Sequence, residues 1–290
     1  MDRAHFLVFL AFVLIPAMTL RAATGHGGAR IAGIANAGVA IHDPWAVNYN
    51  QAGMVHCDHA MAALYTENRF MLADISLASA AVILPVTYGT LGVSLGTFGN
   101  EHYREGNAGL AFARRFGERF SAGVRLNYHF VSVGEGYGSA GTLTAEGGGI
   151  FELAPGLHIG AHVVNPTGSV IARPEYIAHD ERVTTVFRTG ISYRFSDNGL
   201  LTLEIEHERH VSPPSARVGL EYGIGEYLFV RCGAGIHPIH NAAGFGYRSG
   251  RWQIDIASSY HYVLGYSPMA GLIYHFGDSQ RKRSGIQPGQ

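Results

Sequence analysis

Beyond Cys57 the chain alternates apolar and polar residues with a period of two, over segments of about ten residues, and few folds accept that pattern. Within 120–130, Phe120, Ala122, Val124, Leu126, Tyr128 and Phe130 share one face, and Ser121, Gly123, Arg125, Asn127 and His129 share the other. Residues 251–262 repeat it: Trp252, Ile254, Ile256, Tyr260 and Tyr262 oppose Arg251, Gln253, Asp255, Ser259 and His261. Leu201, Leu203 and Ile205 oppose Thr202, Glu204 and Glu206, while Phe187, Ile191, Tyr193 and Phe195 oppose Arg188, Ser192 and Arg194. Successive side chains of a strand point to opposite sides, so each segment reads as a strand with one greasy and one polar face.

A soluble sandwich would turn the greasy face inward and a membrane barrel would turn it outward, so alternation alone leaves both open. Three features select the membrane. Aromatic residues (Tyr128, Phe130, Tyr193, Phe195, Tyr260, Tyr262, Tyr274, Phe276) sit near the ends of the apolar stripes, where interfacial girdles lie. Residues 1–23 read as a signal peptide, with Arg3, an apolar run too short to span a bilayer as a helix, and the small residues Ala22 and Ala23. Linkers alternate in length. The short set lies near Pro85 and at RFGERF, LAPGL, FSDNG, GIGEY and YRSGR. The long set comprises TENRFMLAD, FGNEHYREGN, VGEGYGSAGT, residues 165–183, HERHVSPPSA, GIHPIHN and VLGYSP. Short periplasmic turns opposite longer outer loops are the habit of outer-membrane barrels.

The expected fold is therefore all-β: a transmembrane antiparallel β-barrel of about fourteen strands over residues 57–277, in a bacterial outer membrane, both termini periplasmic. The closing segment MAGLIYHF places Gly271, Tyr274 and Phe276 at a Gly-x-x-aromatic-x-aromatic spacing, similar to the signal read by the barrel assembly machinery. A polar tail, 278–290, reads as a periplasmic extension. Membrane lipid and that assembly machinery are the expected partners. Charged residues make up only 15% of the chain and the net charge is -1, so no basic field exists to hold nucleic acid.

Catalytic signatures fail on context. GVSLG around Ser94 matches a nucleophile elbow, but that motif needs a strand, a sharp turn and a helix, and Ser94 lies inside a strand pattern. GYGSAG at 136–141 matches a dinucleotide pattern without a βαβ unit. Three His-x-x-His pairs (His56/His59, His207/His210, His237/His240) lack an acidic or thiolate set to fix a metal, so no cofactor or metal is expected. Strand parity points Cys232 outward, which argues against its pairing with Cys57. The polar faces carry Arg125, Arg188, Arg194, Glu204, Glu206, Arg217, Glu221, Arg231 and Asp255. Their mixed signs on neighbouring strands predict ion pairs across the ladder and a narrow lumen, where a selective ion path would show one sign.

Between the signal peptide and the first strand, residues 24–56 hold a small-residue stretch, then Asp43-Pro44-Trp45-Ala46 and the box Asn50-Gln51-Ala52-Gly53. This segment resembles the N-terminal part of the FadL-like outer-membrane superfamily, in particular the branch of the PorV and PorQ proteins of type IX secretion. The resemblance implies a short helical plug inside the barrel. Asp43 is suited to cap a helix beginning at Pro44. Gln51 stands where the family box has proline, which implies a loosened turn. Members of that superfamily serve protein secretion and surface attachment or pass hydrophobic compounds, so the resemblance implies a non-enzymatic protein whose partners are secretion-system proteins or a hydrophobic solute. Fourteen strands leave little loop length for a ligand vestibule, which favours the secretion role.

Overall fold

A computed structural model of the chain describes residues 27–134, 138–171 and 181–277; the expected signal peptide and tail lie outside them. Fourteen strands close into one antiparallel barrel: β1 (Met61–Asn68), β2 (Ser76–Val86), β3 (Gly89–Gly99), β4 (Tyr103–Phe116), β5 (Phe120–Val133), β6 (Gly138–Ala154), β7 (Leu157–Val164), β10 (Val186–Arg194), β11 (Gly199–Glu208), β12 (Ser215–Ile224), β13 (Leu228–Ile236), β14 (His240–Ser249), β15 (Trp252–His261) and β16 (Gly265–His275). A separate two-stranded hairpin, β8 (Val170–Ile171) with β9 (Glu181–Arg182), sits in the connection between β7 and β10. Closure comes from β1 pairing with β16, from Met61 opposite His275 to Glu67 opposite Met269, so the sheet has no free edge. No helix among the described residues is long and apolar enough to cross a membrane.

The side-chain parity holds around the wall. On β11, Leu203 is 51% exposed and Glu204 only 2%. Its outer face carries Leu201, Leu203 and Ile205, and its inner face Thr202, Glu204 and Glu206. An apolar exterior around a polar interior is the inverse of a soluble protein and suits a wall surrounded by lipid. Aromatic rings gather in two belts. Phe116 with Phe120 and Trp252, Tyr274 and Phe276 mark the rim where β1 starts and β16 ends; Tyr128 with Phe130 and Tyr260 with Tyr266 mark the opposite rim.

All connections at the first rim are tight, and we call it the short-turn rim. The opposite rim keeps the expected long connections between β1 and β2, β7 and β10, and β11 and β12, and departs from the expectation elsewhere. Only residues 100–102 separate β3 from β4, 237–239 separate β13 from β14, and 262–264 separate β15 from β16. The missing loop length is in the strands: β4, β5 and β6 run for 14, 14 and 17 residues and project past the aromatic belt. Strand above the lipid boundary faces water on both sides, so it loses the alternation by which it would be recognised.

Candidate functional site

The lumen is filled by residues 28–57. A five-residue helix, α1 (Gly28–Ala32), leads through a loop to a four-residue helix, α2 (Ala46–Tyr49), and a 3-10 turn (Gln51–His56), almost all of it buried. Helices this short have no independent stability in water and take their order from the wall around them. Asp43 opens the second turn: its side chain accepts a hydrogen bond from the Trp45 N–H at 2.9 Å, and its carbonyl accepts from the Ala46 N–H. The helix itself begins at Ala46, two residues beyond the expected start at Pro44.

The Asn50-Gln51-Ala52-Gly53 box is not loosened by its glutamine. The Asn50 side chain accepts from the Ala52 N–H and donates to the Val39 carbonyl. Gln51, fully buried, donates to the Val47 carbonyl at 3.2 Å and to Glu146 at 3.4 Å, and its oxygen meets His162. A proline could make none of these bonds. The glutamine therefore replaces backbone stiffness with side-chain anchors to β6 and β7. Gly53 packs so closely on the Ile41 carbonyl that a Cβ would clash with it.

The inward-facing charges form two clusters that grip the plug. In the first, Asp43, Arg30, Glu221, Arg231 and Asp255 alternate in sign across contacts of 2.9, 2.7, 2.6 and 2.7 Å. In the second, Arg188 and Arg217 share Glu206, and Arg217 also reaches Glu204 at 3.1 Å. Glu204 is the centre of that cluster: one oxygen accepts the backbone N–H groups of Gly38 and Val39, and the other accepts the Tyr49 hydroxyl at 2.6 Å. Arg188 also lies over the Tyr49 ring. Arg125 is buried near Glu146 and donates to the Ser94 hydroxyl, so Ser94 is a wall residue of β3 and not a nucleophile on a turn. Arg194 stands apart: it lies at the end of β10, exposed on the short-turn rim, rather than inside.

The plug divides the lumen. Toward the opposite rim lies a cavity of about 400 Å³ whose floor includes Ala32, Asn36 and Tyr49. On one side apolar residues (Tyr65, Phe70, Ile75, Phe98, Leu264, Met269) line it together with the Glu67–Arg69 pair, and the other side presents Arg188, Glu206 and Arg217. This vestibule is what the short chain was expected to lack. On the short-turn side a smaller, polar pocket of about 230 Å³ is lined by Arg30, His42, Glu221 and Arg248 among others.

Two features of the site escape sequence reading. The first is a set of inward-facing glycines on six of the strands. A Cβ on Gly123, Gly148, Gly160, Gly190, Gly219 or Gly233 would come within 3 Å of plug atoms, so these positions give the plug its room. Glycine on the polar face of a strand was the available signal. The second is a trio of imidazoles near the short-turn rim, His42, His56 and His158, with ring centroids 3.6 and 4.8 Å apart from His42. Burial, then the neighbouring His56, His158 and Arg115, hold His42 well below the ordinary imidazole range; burial and Arg115 push His56 down to about 4. Among the described residues no group of three or more His, Cys, Asp or Glu side chains is arranged to hold a metal ion. Of the expected pairs, His56 joins the trio and His59 does not. Cys57 is buried and Cys232 faces outward, and both are free thiols.

Lipid-facing wall, closed sheet and an inserted plug together define a plugged transmembrane β-barrel. No family model matches the chain, and no curated protein does. Solved structures do. The chain is similar to the Pseudomonas putida toluene transporter TodX (10% identity, TM-score 0.68, covering 87% of this chain and 99% of that one) and to the Ralstonia pickettii toluene transporter TbuX (12%, 0.64, 87% and 99%). It is also similar to a Pseudomonas aeruginosa FadL homologue (14%, 0.60, 88% and 99%). At these identities the likeness is one of fold: a closed FadL-like barrel with an N-terminal helical segment.

Proposed function

We propose that this protein is a non-enzymatic channel of a bacterial outer membrane that lets small hydrophobic solutes enter passively, with the short-turn rim and both chain ends in the periplasm. One observation carries the reading: a half-apolar vestibule of about 400 Å³ opens at the far rim and rests directly on the plug. A cavity of this size suits a small ligand, and its apolar wall offers a hydrophobic molecule a better environment than water does. The lumen charges pair with one another and with the plug, so they serve attachment and leave no single-sign ring to conduct ions.

The similar structures are toluene transporters and a FadL homologue, which supports the solute reading over the secretion and surface-attachment role suggested by the PorV and PorQ resemblance. Radiolabelled toluene uptake by cells carrying or lacking the full-length protein tests the proposal. Faster uptake than in the vector control is expected; equal uptake overturns it.

A further inference from the structure

We infer that the solute passes along one side of the plug only, through an apolar seam between the plug and strands β1, β2, β3 and β16, and that this seam admits uncharged solutes and excludes anionic ones. The inference rests on the transport reading above and adds to it a path and a selectivity.

The seam begins in the vestibule. Ala32, Tyr65, Phe98 and Met269 line that cavity and also belong to a single buried apolar cluster. The cluster continues downward through Trp45, Ala63 and Ala81 to Met54, Met61 and Ile83. Strand register orders these levels, since Ala63 lies opposite Ala81 and Ile273, and Met61 lies opposite Ile83. The cluster thus reaches from the vestibule to the short-turn rim. The polar groups at its upper end already have partners: the Tyr65 hydroxyl donates to Glu67, and the Ser79 hydroxyl donates to the Leu95 carbonyl.

Around the rest of the circumference the plug meets charge. Arg30 is held by Glu221, the Gly38 and Val39 amides by Glu204, and Gln51 by Glu146 and His162. Parting that side strips buried ions of their counter-ions and amides of their acceptors, which is costly in a medium of low dielectric. The apolar side loses only dispersion contacts, and an apolar solute entering between the faces restores them. Water cannot, so the seam stays shut until a suitable solute wedges it. A carboxylate in the seam would meet no cationic side chain in the apolar cluster that forms it, and its desolvation would not be offset by an ion pair.

The wall itself offers no detour. Among the described residues every strand of the barrel is paired on both sides, and the register shift between Glu152 and Ala154, where β6 meets β7, lies away from the seam. Small residues (Ala29, Ala32, Ala63, Ala81) make the seam narrow, so adding bulk there obstructs it and removing bulk widens it.

Initial uptake of radiolabelled toluene by cells expressing the full-length protein tests this, with folded barrel quantified by its heat-modifiable gel band. Ala63→Leu and Ala81→Leu should each slow uptake by about tenfold, the scale at which methylene-sized changes act in apolar sites. Ala242→Leu, an equally buried inward position on β14 outside the cluster, should leave it close to wild type. Ile83→Ala, which opens space, should raise it. Radiolabelled palmitate should enter no faster than in vector-only cells. Wild type no faster than vector for toluene sinks the transport reading itself. If wild type carries toluene but the folded seam variants carry it equally well, or Ala242→Leu is equally slow, the path is wrong. Should the leucine variants fail to fold, unchanged uptake by Ile83→Ala overturns the path. Palmitate uptake matching toluene overturns the selectivity.

Discussion

Arg30 of the plug donates two parallel hydrogen bonds to the Glu221 carboxylate on β12, 2.7 and 2.8 Å long, across 191 residues of sequence. Such a bidentate pair fixes orientation as well as distance. Arg30→Met would leave Glu221 with only the Arg231 contact that Asp255 shares, and Asp43 without its ion pair. We expect a loss of about 3 to 5 kcal/mol of plug attachment, the usual cost of breaking a buried pair from one side. Faster cleavage of residues 28–56 by protease in detergent, with the barrel band intact, is the readout. The double variant Arg30→Met/Glu221→Gln should recover part of the protection; no recovery would mean that the pair is not the anchor.

Leu203 and Glu204 are neighbours in sequence on opposite faces of the wall, and their variants should fail differently. Leu203→Arg places a charge in the lipid and should reduce assembled barrel, at a cost of about 2 to 4 kcal/mol near the membrane centre. Glu204→Gln should assemble normally but hold the plug less well, because a neutral amide accepts the Gly38 and Val39 N–H groups weakly and gives up the charge facing Arg217. Counting folded protein in membranes and plug protection separately decides it. A plug as well protected in Glu204→Gln as in wild type would show that Glu204 is replaceable.

Acid should loosen the plug. Imidazoles in an unfolded chain titrate near about 6.5, whereas His56 in the structure is pushed down to about 4 and His42 well below its ordinary range. A depressed histidine pKa means that the released state binds more protons, so the stabilisation is full above about 6.5 and drains away as pH falls toward 4. The groups around the pair, His158, Arg115, Arg30, Glu152 and Asp58, include three that repel an added proton. Plug protection at pH 7.5 should exceed that at pH 5, and His42→Gln/His56→Gln should flatten the difference. An unchanged slope in that variant refutes the assignment.

The end of β16 should be read during assembly. Tyr274 and Phe276 both lie on the outer face, where Tyr274 packs against Trp252 and Phe276 at 4.7 and 5.0 Å. Phe276→Ala is expected to lower the amount of folded barrel strongly, while deletion of Ser279 to Gln290 leaves it intact. Membrane fractions from both strains test this: a harmless Phe276→Ala removes the signal assignment, and an essential tail assigns those residues a role in assembly.

The wall was readable because its rule is local. Whether Leu203 points out and Glu204 in follows from two adjacent residues, and lipid on one side keeps the rule strict over the whole membrane depth. Residues 98–107 lost that rule where β3 and β4 leave the lipid, and so looked like a long loop. The plug contacts were hidden for another reason. That Glu204 accepts from Gly38, or that His42 stacks on His56, depends on which strand lies beside which and where the segment settles inside. No spacing along the chain encodes either distance.

The glycines that line the bore make the wall a mould and residues 28–57 its casting. A segment borrowed from a related barrel would meet Gly148, Gly160 or Gly233 with the wrong relief, and one bulky residue on either partner would hold the two apart. The two halves can therefore change in evolution only as a matched set, and a chimera that exchanges the first 57 residues alone should assemble with its bore propped open.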